Sequence, residues 1–204
     1  LVVNNPFDML GLPARFGIDS KELDALYRKL SRSLHPDRHA HAPPGERRHS
    51  LDRAIDVGDA YRLLRDPQRR AKWLLDRAFE LAGPIGAGAL EAEHGDPEFL
   101  MDIMQQREAL SEARHARDLD AALAMGKRMQ QRYEGALARL QNLLDDGAIA
   151  RLLAAGAADS AASLTEQESG ALQRALSEAS DVLSKLRYYR RFLDEVATTE
   201  DELD

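Results

Sequence analysis

Apolar residues recur at three- and four-residue spacing along almost the whole chain, and alternating strand patterns are nearly absent. The pattern predicts an all-α protein. Asn5 or Asn4 before Pro6 caps a short first helix, which Gly11-Leu12-Pro13 ends. Asp19-Ser20-Lys21-Glu22 forms a capping box for a second helix reaching about Leu34, with an apolar stripe of Leu23, Leu26/Tyr27, Leu30 and Leu34. Pro36 pushes His35 out of the helical region and stops that helix. His39 to Gly45, with Pro43-Pro44, reads as a loop. A third helix over about 46–65 is expected to bury Leu51, Ala54, Val57, Gly58, Tyr61 and Leu64. Asp66-Pro67 starts a fourth, carrying Trp73, Leu74 and Phe79.

Gly83-Pro84-Ile85-Gly86-Ala87-Gly88 disrupts this periodicity and marks a domain boundary, giving units over 1–82 and 96–204 with a linker over 83–95. Two long helices follow, from Asp96-Pro97 to about Arg117 and from Asp118 to about Asp145. The small-residue stretch Gly147 to Ser163 reads as a short helical piece plus a loose linker. Thr165-Glu166-Gln167-Glu168 opens a last helix running to about Val196, and the acidic end after Glu200 is expected to fray. Long helices with short connections imply an antiparallel three-helix bundle.

Composition sharpens this picture. The 204 residues include no cysteine, which excludes disulfides, thiolate metal sites and cysteine nucleophiles. No apolar run is long enough to span a membrane, and Leu1-Val2-Val3-Asn4-Asn5 lacks the features of a secretory signal, so a cytoplasmic location is expected. The net charge of −7 is unevenly spread: residues 1–80 carry 15 basic against 12 acidic side chains, and the remainder 13 against 23. Regions of opposite sign suggest modules facing different partners.

The sharpest chemical signal is His35-Pro36-Asp37 at the end of the second helix. Lys21, Arg28, Lys29 and Arg32 lie opposite that helix's leucine stripe, making a basic face that ends at the tripeptide, and Arg38 follows at once. Together with Tyr27-Arg28-Lys29-Leu30, Ala60-Tyr61-Arg62-Leu63-Leu64 and Asp66-Pro67, this arrangement resembles the J domain of the DnaJ co-chaperones over residues 4 to about 79. The resemblance implies a helical hairpin plus short helices. It also implies that His35, Pro36, Asp37, Arg28, Lys29, Arg32 and Arg38 dock on a DnaK-type chaperone ATPase and stimulate its hydrolysis. The chemistry is compatible: Asp37 suits a charge-assisted contact with a partner arginine, Pro36 stiffens the loop, and the basic face steers association.

Phe7-Asp8-Met9-Leu10-Gly11-Leu12-Pro13-Ala14-Arg15-Phe16 and the run from Phe99 to Leu110 are similar to the HscB/Jac branch of that family. Its members join a J domain to a C-terminal bundle that binds an IscU-type iron–sulfur scaffold protein and delivers it to an HscA-type chaperone. Gln105 stands where the branch often has a glutamate, and Gly147 to Ser163 looks like an insertion. Helical geometry gives separate support. Phe99, Ile103 and Leu110 form a core stripe, whereas Leu100, Met101 and Met104 fall on another face beside Glu108 and Glu112. Apolar residues there, two of them adaptable methionines, fit a partner site with an acidic rim.

In the last helix Leu172, Leu176, Leu183, Leu186 and Leu193 define the buried stripe. Tyr188 and Phe192 then project outward, four residues apart. The resemblance implies that one of the two is the aromatic scaffold contact, and implies scaffold binding for Leu100, Met101, Met104, Gln105, Glu108 and Glu112.

Other chemistries are weakly represented. His35, His39, His41 and His49 crowd one segment, but no carboxylate or thiol completes a metal site and they read as solvated loop residues. No phosphate loop, nucleophile–base pair or acid–base carboxylate pair is legible, so no enzymatic activity and no cofactor are expected. The basic helix lacks interleaved aromatics and the net charge is negative, which argues against nucleic acid. The expectation is a cytoplasmic co-chaperone of iron–sulfur cluster assembly. The alternative is a J-domain co-chaperone with a different client.

Overall fold

The computed structural model describes residues 5–39, 43–91, 96–156 and 163–203, apart from the side chains of Pro36, His39, Leu90 and Glu91. It is helical throughout, with no strand among the described residues, and divides into compact units over 1–77 and 78–204.

In the first unit, α1 (Pro6–Leu10) is capped by Asn5, whose side chain accepts from the Phe7 amide at 3.0 Å. It ends at Gly11, where the chain turns left-handed at φ 70°. Helix α1 buries Phe7 completely, with its ring 5.4 Å from that of Trp73. Helices α2 (Ser20–Ser33) and α3 (Pro44–Arg65) form the antiparallel hairpin. Three contacts fix its register: Tyr27 stacks on Tyr61 with ring centres 4.0 Å apart, the Tyr61 hydroxyl donates to Asp24 at 2.8 Å, and the Ser50 hydroxyl donates to the Leu34 carbonyl at 3.3 Å. Leu51, expected inside, is 50% exposed. Ser50 takes the inward position instead, because its hydroxyl satisfies the end of α2. Asp66 caps α4 (Pro67–Ala82) through the amides of Gln68 and Arg69.

The stretch expected to be a linker contains α5 (Pro84–Glu91), which packs against the last helix and buries Ala89; residues 92–95 lie outside the description. Its glycines serve close packing rather than disorder. A Cβ on Gly86 would sit 2.8 Å from the Phe79 carbonyl oxygen. The division between units accordingly falls inside α4 rather than after it.

The second unit is built on α6 (Pro97–Ala116), α7 (Leu119–Asp145) and α9 (Glu166–Leu203), with the short α8 (Ala148–Ala155) burying Ile149 and Leu152 against α7 and α9. Asp96 and Asp118 cap α6 and α7. Residues 157–162 of the small-residue stretch are outside the description. Helix α7 runs antiparallel to α9, with Arg139 paired to Glu178 at 2.6 Å and Gly126 lying against Val196. A Cβ on Gly126 would approach a Val196 methyl to 2.9 Å, so this glycine sets how closely the helices meet.

Helices α6 and α9 run parallel. Asp96 pairs with Lys185 at 2.9 Å, Arg107 with Glu195 at 2.8 Å and Arg114 with Glu202 at 2.6 Å, at a nearly constant separation of 88 or 89 positions. Those pairs, and Thr199 buried between them, carry α9 as a helix to Leu203, past the point where fraying was expected. They also change which face of α9 is inside. Its first half packs on α5, α7 and α8, its second on α6 and α7, so the stripe passes from Leu172, Leu176, Ala179 and Leu186 to Phe192, Val196 and Thr199. Leu183 and Leu193 are only half-buried. Phe192, expected to project outward, is 1% exposed in a core with Ile103, Leu110, Met125 and Met129.

Lys185 is the upper pin of this register. Burial pulls its ammonium down, but hydrogen bonds to Asp96 and Asp181 outweigh that and hold its pKa above the ordinary value. Asp96 is held below the carboxylate range, first by the Phe99 amide and then by Lys185. A depressed carboxylate contributes stability at neutral pH that is lost as pH falls through its folded pKa. A raised ammonium contributes below its ordinary pKa and loses that as pH rises through the folded value. Protection of the first-turn amides of α6, relative to their intrinsic exchange rates, should therefore fall below about pH 4, and a Lys185→Met protein should show a smaller acid response. Phe192→Ala should cost about 3–5 kcal/mol in denaturant melts, whereas Met104→Ala, on the exposed face, should cost less than about 0.5 kcal/mol.

Candidate functional site

The expected site residues form two surfaces, one on each unit. On the first, Lys21, Arg28, Lys29 and Arg32 are all exposed along α2. The chain then enters a tight 3-10 turn over Pro36–His39. The Asp37 amide donates to His35 Nδ1 at 3.3 Å, and the Arg38 amide donates to the His35 carbonyl at 3.0 Å. Because Nδ1 accepts, the neutral ring carries its proton on Nε2. The Asp37 carboxylate is 89% exposed, 3.5 Å from an imidazole nitrogen that does not donate to it, and so is available to an outside cation. The Ser50–Leu34 bond ties the root of this turn to α3. The hydrogen bond to Asp24, with burial, raises the Tyr61 phenol above its ordinary pKa and keeps that hairpin tie neutral. Six of the seven expected side chains thus lie exposed on one helix and turn; that of Pro36, like that of His39 and all of His41, lies outside the description.

On the second unit, the patch begins where Asp96 uses both carboxylate oxygens. One accepts from the Phe99 amide at 3.0 Å, and the other from Lys185. Lys185 Nζ sits 5.2 Å from the Phe99 ring centre, and Phe99 meets Tyr188 and Tyr189 edge-on, each at 5.6 Å. Burial raises the Tyr189 pKa, as befits its inward place. With Phe99 held inward, its neighbours face water: Leu100 is 40%, Met101 62% and Met104 71% exposed, and Tyr188 is 39% exposed. Gln105, Glu108 and Glu112 are exposed on the same helix. Of the eight residues expected here, the structure brings seven to the surface and withdraws Phe192 into the core. The sequence reading missed Lys185 and the Phe99–Tyr188 contact. Each joins positions 89 apart, which no periodic signal connects.

Residues 5–73 match the family model for the DnaJ domain, and residues 95–162 match that for the HSCB C-terminal oligomerisation domain. A co-chaperone protein HscB homolog from Burkholderia multivorans is 39% identical over 142 residues, 70% of this chain and 78% of that protein. One from an Azoarcus species is 40% identical over 140 residues, 69% and 76% of the two chains. Among solved structures, chaperone HscB from Vibrio cholerae is similar at a TM-score of 0.69 and 29% identity, over 98% of this chain and 99% of that one. Human co-chaperone protein HscB shares the fold at a TM-score of 0.59 and 19% identity, over 97% and 85%. With a basic helix ending at His35-Pro36-Asp37 on one unit and an exposed apolar patch on a helical bundle on the other, the chain belongs to the HscB family of J-domain co-chaperones of iron–sulfur cluster assembly.

Proposed function

We propose that this chain binds an IscU-type scaffold protein through its bundle, delivers it to an HscA/DnaK-type chaperone in the cytoplasm, and stimulates that chaperone's ATP hydrolysis. The observation that carries the reading is the apolar surface at the start of α6. Of seven large hydrophobic side chains exposed among the described residues, four are Leu100, Met101, Met104 and Tyr188, brought together by the α6–α9 register. Such a cluster, with Glu108 and Glu112 at its margin, fits a protein partner that covers the apolar centre and presents cations at the rim. The methionines let the surface adapt to that partner.

The chain performs no chemistry of its own in this scheme. Arg28, Lys29 and Arg32, with Arg38 beyond the turn, attract an acidic chaperone surface and orient the encounter. Asp37 then offers its carboxylate to a partner arginine, in a turn whose geometry is already set by His35. The imidazole holds the turn; the carboxylate makes the contact.

The decisive assay measures ATP hydrolysis by an HscA-type chaperone with and without an IscU-type scaffold. Asp37→Asn should abolish stimulation with unchanged helicity, since the carboxylate is exposed and supports nothing in the fold. Full stimulation by that variant would sink the J-domain mechanism. In calorimetric titrations with the scaffold, Leu100→Ala, Met104→Ala and Tyr188→Ala should each cost about 1–3 kcal/mol of binding. Glu108→Gln and Glu112→Gln should cost less, and less again at high salt. Normal binding by a folded Leu100→Ala protein would remove the patch from the recognition surface.

A further inference from the structure

The described cations that bridge α6 and α9 all have acidic partners: Lys185 has Asp96 and Asp181, Arg107 has Glu195, and Arg114 has Glu202. Two exposed arginines on α9 depart from this. Arg187 donates only to the Ser184 hydroxyl, at 3.0 Å, and Arg191 has no ion-pair or hydrogen-bond partner among the described residues. Neither is remote from the patch. Taking Tyr188 as zero on α9, Arg191 lies about 60° and Arg187 about 100° away, on the same side as Glu195 at about 20°. Glu195 faces Arg107 of α6. The parallel register also sets Arg191 level with the turn of α6 that holds Met104.

The acidic side chains lie on the opposite margin. From Leu100, and moving around α6 away from α9, Met104 follows at about 40°, Glu108 at about 80° and Glu112 at about 120°. The strip of Leu100 and Met104 therefore has a basic margin on α9, while Met101, at about 100°, shares the other margin with Glu108 and Glu112, which follow about one to three turns farther along α6. An uncompensated guanidinium beside an exposed tyrosine is a common composition at the centre of protein interfaces, and its planar fork matches a carboxylate.

We propose that Arg187 and Arg191 form a carboxylate-binding lip of the scaffold site, so that the scaffold docks in one orientation, with an acidic segment against α9 and a basic one against Glu108 and Glu112. This rests on the scaffold-binding reading of the patch. It adds two residues and a charge pattern that the partner must carry: apolar in the centre, acidic on one flank and basic on the other. A flipped scaffold would place like charges together on both sides, which excludes it. A second copy of this chain carries both lips as well; the 13 basic against 23 acidic side chains after position 80 oppose that pairing, and sedimentation tests it.

The test is calorimetric titration of an IscU-type scaffold into full-length Arg187→Glu/Arg191→Glu, Arg191→Lys and Leu100→Ala proteins at low and high salt. Circular dichroism and sedimentation of each variant alone accompany it. The double reversal should weaken binding on the order of tenfold at low salt, with a smaller loss at high salt. Arg191→Lys, which keeps the charge but loses the planar fork, should bind more weakly than the unmodified chain and more tightly than the double reversal, and helicity should be unchanged throughout. Unchanged or tighter binding by the double reversal, while Leu100→Ala binds weakly, would overturn the lip and leave the scaffold site standing. Normal binding by all three variants would overturn the scaffold site and the lip together. If the double reversal alters self-association of the chain but not scaffold binding, the lip serves a second copy and the proposal fails.

Discussion

Lys185 reaches from α9 to the carboxylate that caps α6, and the position of the exposed apolar side chains at the start of α6 follows from that reach. The contact joins two ordinary requirements. A helix start needs an acceptor for its free amides, and a half-buried ammonium needs anions to offset its lost hydration. Asp96 meets both with its two oxygens, and Asp181 shares the second. The first turn of α6 is thereby fixed against α9, and Phe99 is trapped between the ammonium and two tyrosine rings. Once Phe99 faces inward, helical geometry turns Leu100 and Met101 outward. Leu100, Met101 and Met104 are thus placed by their neighbours in the helix, and Tyr188 by its edge-on contact with Phe99.

The first unit presents its functional groups by a different route. Leu23 is the only side chain of α2 that is fully buried, while Leu26, Tyr27 and Leu30 are half-buried, so the helix rests on α3 through a narrow seam. That seam is reinforced by polar contacts of fixed geometry: the tyrosine stack, the Tyr61–Asp24 hydrogen bond, and the Ser50 hydroxyl on the last carbonyl of the apolar stripe. A hairpin tied at both ends leaves the far face of α2 free to carry four cations with no core function. The turn at its end is ordered by two acceptors of His35, its ring nitrogen and its carbonyl, which leaves the Asp37 carboxylate exposed.

Local signals in the sequence were reliable where the physics is local. Asn5, Asp19, Asp66, Asp96 and Asp118 each satisfy amides one turn ahead, and the helices begin beside them. The apolar surface on α6 was also legible, because a leucine and two methionines off the core stripe violate amphipathicity within a dozen residues. What escaped depends on neighbours distant in sequence. Phe192 looked external because the leucine stripe of α9 extrapolates past it; the stripe shifts where α6 replaces α5 and α8 as the packing partner. Gly86 looked like a helix breaker and is a contact point for the Phe79 carbonyl. The acidic end of α9 looked frayed until Arg114 was placed beside Glu202. Leu51 looked buried because it is apolar, yet Ser50 holds that position through a hydrogen bond that no hydropathy pattern records.

The same contrast bears on how an exposed apolar surface persists on a stable bundle. Leu100, Met101, Met104 and Tyr188 together form a surface that would favour self-association if it stood among neutral residues. It stands instead between Glu108 and Glu112 on one margin and Arg187 and Arg191 on the other, within a unit of net negative charge. Charge at the margins restricts which surfaces can approach closely enough to exclude water, and excess negative charge disfavours the unit's own copies. In the proposed scaffold complex, specificity lies chiefly in the rim and affinity in the apolar centre. The two are separable because Lys185 and Phe99 position that centre from beneath, independently of the charges around it.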